Sequence, residues 1–215
     1  MSTPQIQSLG ILGAGRIGKA IAALGRAAGL DVRMVGSAGP FEPVYTADAV
    51  VFAIPLSQLR TVPVEQLAGT LVIDAMNYWW ELDGRLEEFE NPLTSSSEQV
   101  QAFLAHARVV KTFNHLSGYA LEELARPAGD PERLALAVAG DEDADVTAVA
   151  QLVDRLGFDP LPAGPLAEGV RFEPTTELFG ADADLDEARD MLERFWDSQR
   201  GRVVARARAA AQSDT

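Results

Sequence analysis

Short strand-like runs at positions 9–12, 31–35, 50–54, 71–75, 109–113, 134–139 and 158–161 punctuate this chain, and most are almost wholly apolar. Such runs mark strands buried on both faces, the condition inside a parallel sheet covered by helices. Helical spacing fills the stretches 19–28, 95–106 and 141–156, the last closed by Gly157 as a C-terminal stop. Buried strands alternating with helices predict an α/β protein with a doubly wound, mostly parallel sheet. One crossover is too short. The stretch 36–49, which holds Gly39, Pro40 and Pro43, leaves no room for a strand and a full helix, because a parallel connection alone takes about a dozen residues or more. The second helix is therefore expected to be missing and any strand near Val44 to be rudimentary. The Pro- and Gly-containing stretch 159–169 is the natural boundary between a sheet domain, residues 1–162, and a small C-terminal helical appendage, residues 163–215.

The first strand runs straight into Gly13-Ala14-Gly15-Arg16-Ile17-Gly18 and then into a helix. This is G-x-G-x-x-G behind a strand and opening a helix, the context in which it reads as a dinucleotide-binding (Rossmann) loop. Gly13 permits the tight turn, Gly15 lets the backbone approach a pyrophosphate, and Gly18 lets helix and strand pack closely. Free N–H groups at the helix start then meet the phosphates. An NAD site usually places a carboxylate about 20 residues further on, at the end of the second strand. Here that position holds Ser37, followed by Ala38. A hydroxyl can donate to a 2′-phosphate that a carboxylate would repel, so NADP is the expected cofactor. Arg16 is the nearest source of positive charge for it, its alternative being a solvated arginine at the helix start. The shortened crossover makes the adenine end shallow.

Composition narrows the class. The chain has 215 residues, a net charge of −14, 47% apolar residues and no cysteine. The charge disfavours nucleic acid and anionic membranes as partners, and the lack of cysteine excludes disulfides, zinc thiolates and cysteine nucleophiles. There is no basic segment leading into a long apolar run at the N-terminus, nor any run of about 18 apolar residues. A cytoplasmic protein is the expectation.

Ligands of an open parallel sheet collect beyond the carboxyl ends of its strands. That rule places Ile54-Pro55, Asn77 and Asn114-His115 at the redox end of the cofactor. Asn77 reads as a partner for ribose or nicotinamide, or as a loop asparagine. Asn114 and His115 are the candidate catalytic residues, with histidine a potential proton donor or substrate clamp. Asp74 reads as a structural acceptor at a strand end, and His106 as a solvated surface residue. Tyr78-Trp79-Trp80 either cover the nicotinamide or a planar second substrate, or are partly buried under a loop. Thr94-Ser95-Ser96-Ser97-Glu98 has the character of a helix N-cap. Asp141-Glu142-Asp143 suits a helix start, and no metal site is expected. Near the C-terminus, Leu185, Ala188, Leu192 and Phe195 share one helical face. This stripe is expected to make a homodimer contact, with folding back on the chain's own sheet as the alternative.

The order of Gly13-Ala14-Gly15-Arg16-Ile17-Gly18, Val35-Gly36-Ser37, Ile54-Pro55, Thr94-Ser95-Ser96-Ser97-Glu98, Val109-Val110-Lys111-Thr112-Phe113-Asn114 and Ala163-Gly164-Pro165-Leu166 resembles the NADPH-dependent F-420 reductases over residues 6–173. The resemblance implies hydride transfer between NADP(H) and a deazaflavin, coenzyme F-420, lying over the nicotinamide. It also implies contact of Ser37 with the 2′-phosphate, and of Ile54, Pro55 and Asn114 with the nicotinamide end. The chain departs from the family at Ala38, where the family has arginine, in the deleted second helix, and at Arg171-Phe172-Glu173-Pro174, which interrupts a long apolar helix. An NADPH-dependent reductase of a small imine or carbonyl, and a non-catalytic NADP sensor, are the other readings open at this point.

Overall fold

The structure is a computed structural model, described here for residues 5–36 and 39–213. Seven strands form one sheet in the order β2-β1-β3-β4-β5-β6-β7. They are β1 (Ser8–Leu12), β2 (Asp31–Val35), β3 (Ala49–Phe52), β4 (Leu71–Asp74), β5 (Arg108–Lys111), β6 (Ala135–Gly140) and β7 (Asp159–Gly164). The longer helices are α1 (Arg16–Ala27), α2 (Ser96–Phe103), α3 (Gly118–Glu123), α4 (Asp143–Arg155), α5 (Leu185–Arg194) and α6 (Gln199–Ser213). Strands β1 to β5 are mutually parallel, and β6 pairs with β7 in parallel. The fold is the α/β doubly wound sheet that the hydrophobic pattern predicts.

Alternate residues of each strand feed opposite layers. Leu9, Ile11, Val51, Ile73 and Val110 pack under Ile21 of α1 and under Val149, Leu152 and Val153 of α4. Leu12, Val50, Phe52, Val72 and Val109 face Leu56, Leu59 and Leu67 and Val100 of α2. Between β2 and β3 the chain makes one helical turn, Glu42–Tyr45, so the full second helix is absent as expected. The position of the rudimentary strand at Val44 is helical instead, and Gly10 explains how closely it lies. A Cβ on Gly10 would sit 2.0 Å from the Val44 carbonyl oxygen, so the turn rests directly on β1.

Two features go beyond the sequence reading of a mostly parallel sheet and of a C-terminal stripe with two possible covers. First, β6 runs antiparallel to β5, and the two overlap only at Val110↔Gly140 and Lys111↔Ala139. A periodicity of buried apolar residues is the same for either direction of a fully covered strand, so the pattern carries no sign of this reversal. Second, the C-terminal stripe lies on the chain's own sheet. Ala188 and Leu192 join Ala135, Ala137, Ala139, Leu161 and Ala163 in one apolar layer, and Phe195 packs with Val170 and Val204. These side chains are therefore spent inside the protomer and are not a free dimer face. An amphipathic period says that a face is buried, not what buries it.

Candidate functional site

At the carboxyl end of β1 the three loop glycines divide their work as their spacing suggests. Gly13 has φ +119°, and a Cβ there would lie 2.2 Å from the Ala53 carbonyl oxygen of the neighbouring loop. A Cβ on Gly18 would lie 2.0 Å from the Gly13 oxygen. Both positions are closed to any side chain. Gly15 is the opposite case: it is exposed, its ideal Cβ meets nothing within 4 Å, and it is the N-cap of α1 without a side-chain cap. The first N–H groups of this helix thus open onto free space with no acidic residue in the first turn. That is a cradle for an anion, at the point where the chain order reverses between β2-β1 and β3.

The other sequence-marked residues divide into those at this cleft and those that are not. Arg16 is largely exposed and lies over Gly118 of α3, with its guanidinium 3.7 Å from Glu122. Ile17 is half-buried against the core under α1. Ile54 is buried and Pro55 exposed at the end of β3. Ser37 and Ala38 lie outside the described residues.

Asn77 and Asn114, beyond the ends of β4 and β5, interlock. The Asn77 amide donates to the Asn114 carbonyl oxygen at 2.8 Å, and the Asn114 amide donates to Asn77 Oδ1 at 3.1 Å and to the Phe172 carbonyl at 2.9 Å. Asn114 Oδ1 is buried and, among the described residues, has no partner. An acceptor left over in a buried amide pair is the kind of group a bound carboxamide satisfies.

His115 is 1% exposed and is not at the open rim. Its Nε2 accepts the Ala137 N–H at 3.0 Å, which places the ring proton on Nδ1. The reason lies in the sheet: β5 has ended beside Ala139, so an amide of β6 two residues earlier needs another acceptor. Burial, and secondly the Lys111 charge, push the His115 pKa down to about 3. The imidazole is neutral near pH 7, and its one ring proton sits on a buried Nδ1 that has no hydrogen-bond partner among the described residues. In this geometry its work is to close the sheet.

Sequence reasoning missed a buried polar cluster beside the asparagines. Lys111 is fully buried at the end of β5, with Nζ 3.3 Å from Ser96 Oγ, 3.4 Å from the Met76 carbonyl and 3.7 Å from Asp74 Oδ2. Asp74 accepts from the Met76 N–H at 2.9 Å and from Ser97 Oγ at 2.5 Å, which bears out its reading as a structural acceptor. The signal was present: Lys111 is a charge inside an otherwise apolar strand run, and such a charge must find partners. The serine run does cap α2, since Ser95 and Glu98 form a reciprocal capping box.

Next to this cluster is a cavity of about 220 Å³ whose walls include Tyr78, Trp79, Ser96, Glu173, Thr175 and Arg200. Tyr78 stacks on Phe89 with ring centroids 5.6 Å apart, while Trp79 meets Phe179 edge-on and Trp80 is exposed. Glu173 accepts from the Ser96 N–H at 2.7 Å and from Arg200 at 2.5 Å, and Arg200 also donates to the Pro174 carbonyl at 2.6 Å. The Arg200 bonds from α6 flank Thr175, whose φ of +74° is a strained conformation for a β-branched residue. Strain of this kind persists where the surroundings over-determine a segment, commonly at ligand sites.

No family model matches the chain. Among curated proteins it is similar to the protein YjhV of Escherichia coli (strain K12), with 41% identity over 80 residues, 37% of this chain and 56% of YjhV. The chain thus spans little more than half the length of that relative. Among solved structures, the hypothetical protein SMa0349 from Sinorhizobium meliloti matches with a TM-score of 0.66 at 27% identity, over 82% of this chain and 94% of that one. A protein from Arthrobacter sp. FB24 that carries F420-dependent NADP-reductase as a provisional name matches with a TM-score of 0.61 at 22% identity, over 89% and 94% of the two chains. The Mycobacterium tuberculosis 3-hydroxyisobutyrate dehydrogenase matches with a TM-score of 0.56 at 16% identity, over 78% and 58%. The fold is Rossmann-like. No helix among the described residues is long and apolar enough to cross a membrane.

Proposed function

We propose that this protein is an NADP(H)-dependent oxidoreductase that moves a hydride between the nicotinamide and a planar conjugated acceptor, with coenzyme F-420 as the first acceptor to test. The observation that carries the reading is the open space at Gly15, in front of an α1 N-terminus that no side chain caps. The provisional name of the Arthrobacter neighbour and the name of the Mycobacterium tuberculosis dehydrogenase agree with a nicotinamide chemistry. In this reading Gly13, Gly15, Arg16, Ile17 and Gly18 hold the pyrophosphate, Ser37 meets the 2′-phosphate, and Ile54, Pro55 and Asn77 border the redox end.

The cofactor, when bound, supplies the hydride. The chain's own part is alignment and exclusion of water. Asn114 Oδ1, buried and unpartnered among the described residues, fixes a carboxamide, while Asn77 holds the Asn114 side chain in place. His115 acts through the sheet and takes no part in proton transfer. Arg200, reaching from α6, keeps the loop at Glu173–Thr175 closed against the aromatic wall. A second reading, reduction of a small carbonyl or imine, is favoured by the polar side of the same cavity at Ser96 and Glu173.

Titration with NADPH and NADH tests the cofactor assignment. NADPH is expected to bind more tightly by about 1–2 kcal/mol, the worth of one charge-assisted hydrogen bond at Ser37. Equal or tighter binding of NADH would remove NADP from the account.

A further inference from the structure

Lys111 is a fully buried charge behind the cavity wall that the alignment of two rings does not require. Its surroundings look built for it. The stem passes Gly169, where a Cβ would come within 2.9 Å of Lys111 Cδ, and the ammonium ends against Ser96, the Met76 carbonyl and Asp74. Ser96 is the contact between this buried charge and the cavity, since it both receives the Lys111 hydrogen bond and forms part of the cavity wall. We propose that Ser96, with Lys111 behind it, is the proton donor for the acceptor, and that the acceptor is therefore a polarised double bond, carbon to oxygen or carbon to nitrogen, on a flat aromatic or conjugated frame.

The chemistry balances with a reduced nicotinamide as the reductant, and so it rests on the proposed function. Hydride adds to the acceptor carbon, and the π pair moves onto the oxygen or nitrogen. That atom takes the Ser96 hydroxyl proton, and Ser96 takes one from the Lys111 ammonium. Lys111 recovers its proton from water once the product has left, giving one oxidised nicotinamide and one reduced product per proton consumed. Of the charged side chains on or beside the cavity wall, Glu81 is exposed to solvent. Asp74 on β4 is engaged by Met76 and Ser97, Glu173 is paired with Arg200 from α6, and His115 beyond β5 is neutral. Tyr78 and Trp79 supply the apolar wall on which a flat frame would lie.

The site can be read without cofactor or turnover, using p-nitrophenol as a flat probe whose ionised oxygen mimics the developing charge and changes its colour. Bound to the wild-type chain, the phenol is expected to ionise about one pH unit below its free value, the effect of the Ser96 hydroxyl, held by Lys111, donating to the ionised oxygen. Ser96→Ala and Lys111→Met should each abolish the downward shift, and Lys111→Arg should restore part of it. Circular dichroism shows which variants fold. If Lys111→Met does not, Ser96→Ala decides, because it leaves Lys111 bonded to Met76 and Asp74. An absence of binding, a bound phenol that ionises at or above its free value, or a shift that survives in folded Ser96→Ala would each overturn the proposal. The NADPH titration fails or succeeds separately, so the two readings are distinguishable.

Discussion

Replacing Gly15 with valine will lower the affinity for NADPH about a hundredfold, roughly 3 kcal/mol, the loss of one or two hydrogen bonds to a charged pyrophosphate. The fold should survive. Gly15 has φ −73°, which any residue adopts, and an added Cβ meets nothing within 4 Å. The side chain would instead occupy the space through which the phosphates reach the N–H groups of α1. The neighbouring glycines make the contrast. At Gly13 or Gly18 a Cβ would lie 2.2 Å or less from a backbone oxygen, so alanine there disturbs the fold itself and says little about a ligand. Calorimetry with circular dichroism on the same Gly15→Val sample checks the prediction. A folded variant that binds NADPH as the wild type does would show that the glycine loop is not a phosphate site.

His115 will make the protein sensitive to acid. Its pKa is pushed down to about 3 from an ordinary 6.5, by burial first and by the Lys111 charge second. The unfolded chain therefore takes up a proton below pH 6.5 while the folded chain does not until about pH 3. Stability from this residue is complete above pH 6.5 and is lost as the pH falls toward 3. The slope is about 1.4 kcal/mol per pH unit, up to roughly 5 kcal/mol in all. His115→Gln keeps an acceptor for the Ala137 N–H and cannot titrate. Denaturant midpoints of the two proteins should run apart across this window, the glutamine variant losing less. Parallel curves would mean that the imidazole is not held neutral by the fold.

These residues also show how much of the molecule could be read from its sequence. The glycine loop was legible because its spacing after a strand and before a helix is distinctive, and the structure closes Gly13 and Gly18 to any side chain while leaving Gly15 open. The missing second helix was legible from length alone. The reversal of β6 was not, because two paired residues next to β5 leave no mark on a pattern of burial. For the same reason His115 read as a rim residue: with β6 parallel, no orphaned amide at Ala137 would have needed it. The stripe from Leu185 to Phe195 was correctly seen as buried, but its cover, the small alanines of β6, is distant in sequence. Lys111 and Ser96 are separated by 15 positions and meet only because β5 and α2 pack together. Arg200 and Glu173 likewise needed the folded C-terminal segment to be seen as a pair.

Mixing the protein with NADPH and oxidised coenzyme F-420 in a stopped-flow spectrometer, while following the nicotinamide and deazaflavin absorption bands together, tests the central claim most directly. The account predicts that both bands fall in step, one nicotinamide oxidised for each deazaflavin reduced, and that Gly15→Val loses the paired change. NADPH that binds to the wild-type protein while neither band moves, with F-420 or with a small carbonyl or imine in its place, would contradict it.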